Sequence, residues 1–155
     1  MHIIAAKAVC FQEASSPDFV KYQQAVVENA MVLASELEKA GLRLVSGGTD
    51  NHLLLVDLTQ TGVTGWDAQQ ALEAVGIVAN RNAIPFDSRP PKITNGMRFG
   101  TPAATSRGMG REEMKAIAGW IVRVISHIGD LSMQAQVKEE VRQMCLRFPV
   151  PGIDY

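Results

Sequence analysis

The chain has 155 residues, 46% of them hydrophobic and 20% charged, with a formal net charge of −1 at pH 7. That length suits one domain, and the apolar share excludes the polar, highly charged balance of a disordered chain. A charge so near zero gives no broad basic field, so neither nucleic acid nor an anionic membrane is expected as a partner.

The chain opens on Met1-His2-Ile3-Ile4-Ala5-Ala6-Lys7-Ala8-Val9, an apolar run with no basic stretch ahead of it and Lys7 inside it, unlike a secretory signal. Residues 2–14 are predicted to form a short helix that starts without a cap, as a domain cut from a longer chain would. Ile3, Ile4, Val9 and Phe11 are expected to lack a partner there and to stay partly exposed, the kind of patch that marks an interface. Ser16, Pro17 and Asp18 then read as N-cap, first helical position and favourable dipole charge. Phe19, Tyr22, Val26, Ala30, Leu33 and Leu37 recur every three or four residues, so a long helix runs to Gly41.

Residues 42–45 are predicted as a short strand, 46–51 as a turn rich in Gly, Ser, Thr, Asp and Asn, and 52–58 as a buried central strand. Two strands joined by a tight polar loop predict an antiparallel pair. A helix is expected over 66–74, stopped by Gly76, followed by a brief strand over 77–79. Residues 80–95 hold Pro85, Pro90 and Pro91 and read as the longest irregular stretch, of a length that is functional or disordered inside a compact domain. Residues 96–100 predict another strand, and Thr101-Pro102 a further turn or helix. Two helices close the chain. The first carries Met114, Ile117, Ala118, Ile121 and Ile125, with Glu112 and Glu113 in its first turn and Gly129 after it. The second starts at Asp130, carries Val137, Val141, Met144 and Cys145, and ends at Pro149. The order predicts an α+β sandwich: a small, mostly antiparallel sheet with helices on one face.

No apolar stretch approaches the roughly 20 residues of a membrane span. Cys10 and Cys145 form no C-x-x-C pair, and His2, His52 and His127 are scattered, so no metal site is expected. Both thiols read as buried small hydrophobes in a reducing, cytoplasmic setting. No nucleophile–base–acid set, P-loop or dinucleotide fingerprint occurs, so no catalytic residue is assigned. Gly47-Gly48 reads as a hairpin turn and His52 as structural. Arg98 is the strongest binding candidate. It sits mid-strand between Gly96 and Gly100, which permit close approach to the backbone, and a guanidinium can grip a carboxylate through two parallel hydrogen bonds. The alternative is a surface arginine or an internal ion pair. Asn82 carries an amide that both donates and accepts, as the edge of a heterocycle requires, with a turn asparagine as the plain alternative.

Three motifs agree in order and spacing. They are Met1 to Val9, the run Val45-Ser46-Gly47-Gly48-Thr49-Asp50-Asn51-His52 continuing to Leu58, and Thr94-Asn95-Gly96-Met97-Arg98-Phe99-Gly100-Thr101-Pro102-Ala103 with Thr105, Arg107 and Gly108 after it. Together they resemble the serine hydroxymethyltransferase family over essentially the whole chain. Asn95 stands where many members carry serine, Met97 where isoleucine or leucine is commoner, and Arg81 where some have lysine.

The resemblance implies the C-terminal small domain of an aspartate-aminotransferase-like (fold type I) enzyme. Such an enzyme uses pyridoxal 5'-phosphate to pass a one-carbon unit between serine and tetrahydrofolate, leaving glycine. It implies that Arg98 binds the amino-acid carboxylate, that Asn82 contacts the pterin, and that Pro90, Pro91 and Lys92 line the folate site. Residues 1–14 become an interdomain helix remnant and 15–155 the small domain. The lysine that anchors the cofactor, the aspartate at its ring nitrogen, the histidine stacked on it and the phosphate loop have no counterpart here. A missing N-terminal large domain is therefore the expected partner, in an intact enzyme that is a homo-oligomer, and the chain alone is expected to be inactive. The competing reading is a free-standing, non-catalytic α+β module that binds a small carboxylate or a protein.

Overall fold

The structure, a computed structural model, describes residues 1–153; residues 154 and 155, the end of the expected small domain, lie outside the described residues. The first helix, α1 (His2–Ala14), forms as expected and buries none of its side chains. Ile3, Ile4, Val9 and Phe11 all face solvent. Cys10 is exposed with them, which corrects the expectation of a buried thiol; Cys145 is half-buried. The reason is positional: Cys10 has apolar neighbours in sequence, but its helix has nothing packed over it.

Helix α2 (Pro17–Lys39) follows its end signals. The Ser16 hydroxyl accepts the Phe19 N–H at 3.2 Å, and Pro17 and Asp18 fill the first turn. At its other end Gly41 has φ +89°, a backbone conformation that costs a side-chain-bearing residue energy, while the Leu42 N–H turns back to the Leu37 carbonyl at 3.0 Å. Val26, Ala30, Leu33 and Leu37 are buried; Phe19 and Tyr22, near the start of the stripe, remain partly exposed. One polar residue interrupts the buried face. Asn29 is 3% exposed, and its amide donates to the Met109 carbonyl and the Thr105 hydroxyl, both at 2.9 Å.

The sheet is wholly antiparallel, with β1 (Arg43–Leu44), β2 (Leu53–Asp57), β3 (Asn80–Asn82) and β4 (Gly96–Gly100) in the order β1-β2-β4-β3. Leu54 pairs with Phe99 and Val56 with Met97 in the ladder, and all four are buried beneath the helices. Between them, Leu55 pairs with Arg98 on the opposite face, where Leu53 and Leu55 are half-buried and Arg98 is exposed. Side chains alternate across a strand, so one face meets the core and the other is open. The α+β expectation, helices on one face, is therefore what the chain adopts.

One strand lies elsewhere than expected. Residues 77–79 make no ladder. The Ile77 N–H folds back to the Leu72 carbonyl at 2.9 Å to finish α3 (Gly65–Ala74), and Val78 is 86% exposed. The ladder falls three residues later, on Asn80–Asn82, inside the stretch expected to be irregular. An edge strand needs backbone donors and acceptors on one side only, so polar residues serve there as well as apolar ones. A 3-10 turn over Thr59–Thr61 and the short α4 (Pro102–Ser106) complete the connections.

Helix α5 (Arg111–Ser126) lays Met114, Ala118, Ile121, Val124 and Ile125 into the core against α2. Helix α6 (Leu131–Arg147) opens with the Asp130 carboxylate accepting the Met133 N–H at 3.0 Å and buries Val137, Val141 and Met144. Polar ties join the two. The Trp120 indole N–H donates to Glu140 at 2.6 Å, and Arg123 reaches the same carboxylate at 2.8 Å. Arg107 caps the end of α6 by donating to the Phe148 carbonyl at 2.7 Å and the Cys145 carbonyl at 3.1 Å.

Candidate functional site

Arg98 stands at the centre of β4, on the open face of the sheet. Arg43, Arg81, Arg107, Arg123 and Arg142 each grip an acceptor belonging to this chain. Arg98, like Arg89, Arg111 and Arg147, has no such partner among the described residues, which removes the internal ion pair as an account of it. It lines an open cleft of about 420 Å³ together with His52, Val78, Asn80 and Gly100. Asn80 is its cross-strand partner in β3. A free guanidinium beside a side-chain amide, on a rigid strand, offers forked donors to a planar anion.

Asn82 lies two residues along β3, on the same face as Asn80 and diagonal to Arg98. Its amide N–H donates to the Ala83 carbonyl at 2.8 Å. Arg81, between the two asparagines, faces the helices: its register partner Met97 is fully buried, it stacks 4.8 Å from the Trp66 ring and it donates to the Gln69 side-chain amide oxygen (Oε1) at 3.0 Å. The strand alternation thus separates a structural arginine from two asparagines that face the open cleft side.

Gly96 is the point of close approach anticipated from the glycines around Arg98. A β-carbon there would sit 2.4 Å from the Asn82 carbonyl oxygen and 2.7 Å from Ile84 Cγ2. The group that comes close is the chain's own loop, so Gly96 brings β3 and Ile84 down onto β4. At Gly100 an added β-carbon would meet only ordinary contacts.

Pro90, Pro91 and Lys92 are exposed on the far arm of the loop, outside the Arg98 cleft. The Pro90 carbonyl accepts from Ile93 at 2.9 Å and Thr94 at 3.0 Å, and the carbonyls of Ile93 and Thr94 then accept the Trp66 and Gly65 N–H groups that start α3. Thr94, buried and β-branched, is held at φ +55° in this turn, a strained conformation that its surroundings must impose.

Two residues at this face were not singled out from sequence. Asn80 is one; a polar alternation, Asn80 and Asn82 about Arg81, was its signal. Asp87 is the other. It accepts from Ile84 N–H, Arg89 N–H, Asn95 N–H and the Asn95 side-chain amide. Burial works to raise its pKa, but these donors outweigh burial and hold the carboxyl below its ordinary range. The glycine-rich turn satisfies itself, with the Ser46 hydroxyl donating to the Gly48 carbonyl at 2.6 Å and the Thr49 hydroxyl to the Leu53 carbonyl at 2.6 Å. The His52 carbonyl accepts the Thr101 N–H at 3.1 Å. Among the described residues no cluster of His, Cys, Asp and Glu is arranged to hold a metal ion, and no helix is long and apolar enough to cross a membrane.

The sequence profile of the family described as serine hydroxymethyltransferase matches residues 1–121. The serine hydroxymethyltransferase of Dehalococcoides mccartyi strain CBDB1 is 55% identical over 155 aligned residues, which take in 99% of this chain and 37% of that protein. The enzymes of the same name from strains BAV1 and 195 are each 54% identical over the same shares. The chain thus spans a little over a third of the length of the curated relatives it matches. With its profile match covering most of the chain and these relatives aligned almost end to end with it, this chain belongs to the serine hydroxymethyltransferase family.

Proposed function

We propose that this chain is the C-terminal part of a serine hydroxymethyltransferase, supplying the amino-acid carboxylate clamp and part of the folate wall to a reaction it does not perform alone. The observation that carries this reading is Arg98: exposed, unpaired within the described chain, fixed at mid-strand, and facing a cleft with an amide beside it. Serine and glycine present a planar carboxylate that such a fork fits. Asn82, whose side-chain amide can donate and accept, meets the edge of the pterin of tetrahydrofolate, and Pro90, Pro91 and Lys92 flank the same ligand.

Pyridoxal phosphate is the electron sink for this chemistry when bound. The residues present do not fit as its covalent anchor. No lysine lines the Arg98 cleft. Lys21, Lys39 and Lys115 are ion-paired with carboxylates on their own helices, and Lys7, Lys92 and Lys138 lie exposed on the surface. In this reading the cofactor would be held by residues of the N-terminal large domain.

In this reading α1 is the interdomain helix. Ile3, Ile4, Val9 and Phe11 are 55–68% exposed, and an apolar helix that buries nothing of its own is suited to dock against the large domain and to join copies of the enzyme into a homo-oligomer. The two free thiols fit a reducing cytoplasm.

Reconstitution tests the proposal. The chain is mixed with the separately produced large domain of a relative, pyridoxal phosphate, serine and tetrahydrofolate, and glycine formation is followed. Turnover is expected only in the mixture, and Arg98→Ala should lower kcat/KM for serine about 100-fold, the loss of two charge-assisted hydrogen bonds. Turnover by the chain alone, or an Arg98→Ala mixture as active as the native one, would sink the reading. The free-standing carboxylate-binding module would show the opposite pattern, with glycine binding to the isolated chain and no gain on mixing.

A further inference from the structure

The loop 83–95 contains none of the regular hydrogen bonding that holds a helix or strand, yet it carries Pro90, Pro91 and Lys92 and adjoins Asn82. Its far arm has anchors of its own. The Leu58 N–H donates to the Asn95 carbonyl at 2.7 Å, and Ile93 and Thr94 hold the start of α3. Its near arm, 84–89, has little besides Asp87. One carboxylate oxygen of Asp87 accepts the N–H groups of Ile84 at 3.3 Å and Asn95 at 2.9 Å; the other accepts the Arg89 N–H at 3.0 Å and the Asn95 side-chain amide at 2.8 Å. These donors come from the first turn of the loop, from its middle and from its last residue. Asp87 therefore closes the base of the loop and ties the 84–89 arm to the anchored one. Asn95 supplies two of the four donors and also reaches the Ser88 hydroxyl at 3.3 Å.

Closing the base has two consequences at the ligand face. Ile84 is seated over Gly96, beside Leu55, which fixes the corner that follows Asn82. Phe86, the residue before Asp87, is held at φ +58° with its ring fully in solvent. A non-glycine residue pays for that conformation, so the loop is pinned in a shape its sequence does not favour by itself.

We propose that Asp87 is a positioning residue for the folate side of the site: by clasping Ile84, Arg89 and Asn95 it fixes the 84–89 arm, and with it the corner that follows Asn82, against the anchored Pro90–Lys92 arm, while the carboxylate clamp at Arg98 is set separately by the β2–β4 ladder. This rests on the functional reading above. It separates the two co-substrates physically, because Arg98 belongs to a strand paired on both sides and Asn82 to an edge strand that runs directly into the clasped loop.

The test is Asp87→Asn in the reconstituted two-part enzyme. The amide keeps the shape but loses one acceptor and the charge. The KM for tetrahydrofolate should rise about tenfold or more, as expected when groups that position a ligand are held loosely, with the KM for serine and kcat changed by less than about twofold. Hydrogen exchange should quicken at the Ile84, Arg89 and Asn95 amides. A folate KM that stays put while those amides exchange faster would overturn the proposal, as would a serine KM that rises in parallel. Should Asp87→Asn fail to fold or dock, Asn95→Ala decides: it removes one donor and should raise the folate KM about threefold to fivefold, and an unchanged value overturns the inference. No turnover by the native mixture would defeat the functional reading, and this inference with it, and is read from the native arm alone.

Discussion

Asp57 illustrates how one side chain earns its burial. It is 7% exposed at the end of β2, where it accepts the Thr59 N–H at 2.8 Å, the Thr59 hydroxyl at 2.5 Å and a guanidinium N–H of Arg43. Burial alone would raise its pKa, but the Thr59 donors and Arg43 prevail and hold it below the ordinary aspartate range. A carboxyl whose folded pKa lies below its unfolded one stabilises the fold above the unfolded pKa, and that contribution fades as pH falls through the folded value. Asp57→Asn should therefore lower the unfolding free energy obtained from urea titration near pH 7 by about 1.5–3 kcal/mol, the range for hydrogen bonds to a charged group, and the gap from the native chain should close as pH drops below the ordinary aspartate range. A gap that persists unchanged in acid would show that the loss comes from packing and not from charge.

At the level of elements, β3 and β4 are held together across Gly96. The register places Asn82 opposite it, and any added β-carbon would strike the Asn82 backbone carbonyl and the Ile84 side chain. Backbone cannot yield as a flexible side chain does. Gly96→Ala should cost about 1–3 kcal/mol of stability, the range for overpacking, and should perturb the amide signals of 80–84 more than those of β1. An alanine variant as stable as the native chain would mean that β3 shifts freely, and a β3 that shifts freely could not fix Asn82. Helix α5 makes a complementary case. Glu113 reaches back to the Gly110 N–H at 2.9 Å, and since glycine has no side chain to return the bond, the start of this helix rests on one reciprocal partner where a full capping box has two.

Across the whole molecule, cohesion is uneven. The core draws on α2, α3, α5, α6 and one face of the sheet, while α1 adds nothing to it. A variant lacking residues 2–14 should keep its thermal midpoint within a few degrees, as expected of surface changes of about 0.5 kcal/mol, and should bind hydrophobic dye less strongly. The same truncation should abolish docking to the large domain if α1 is its contact. A collapse of the midpoint would instead place α1 within the cooperative unit.

Much of this was legible without coordinates. The helices were marked by caps and by a three-to-four-residue apolar rhythm, both local signals, and α2 runs from Ser16 to Gly41 as read. The family was legible because its motifs are contiguous strings. The position of β3 was not, since Ile77, Val78 and Ala79 look like a strand and Asn80, Arg81 and Asn82 do not; pairing to β4 made the choice, and an edge strand tolerates polar residues. Nor was the exposure of Cys10, because burial depends on what packs over a helix and not on its composition. Nor was Asp87, whose donors at Ile84, Arg89 and Asn95 are spread over twelve positions that converge only when the loop folds. By itself the sequence determined the helices, the family and the residue types available for binding, since those follow from local chemistry. That Asn80 and Asn82 share a face with Arg98, and that Asp87 clasps the loop beside them, was decided by strand register and loop closure, contacts that exist only in three dimensions.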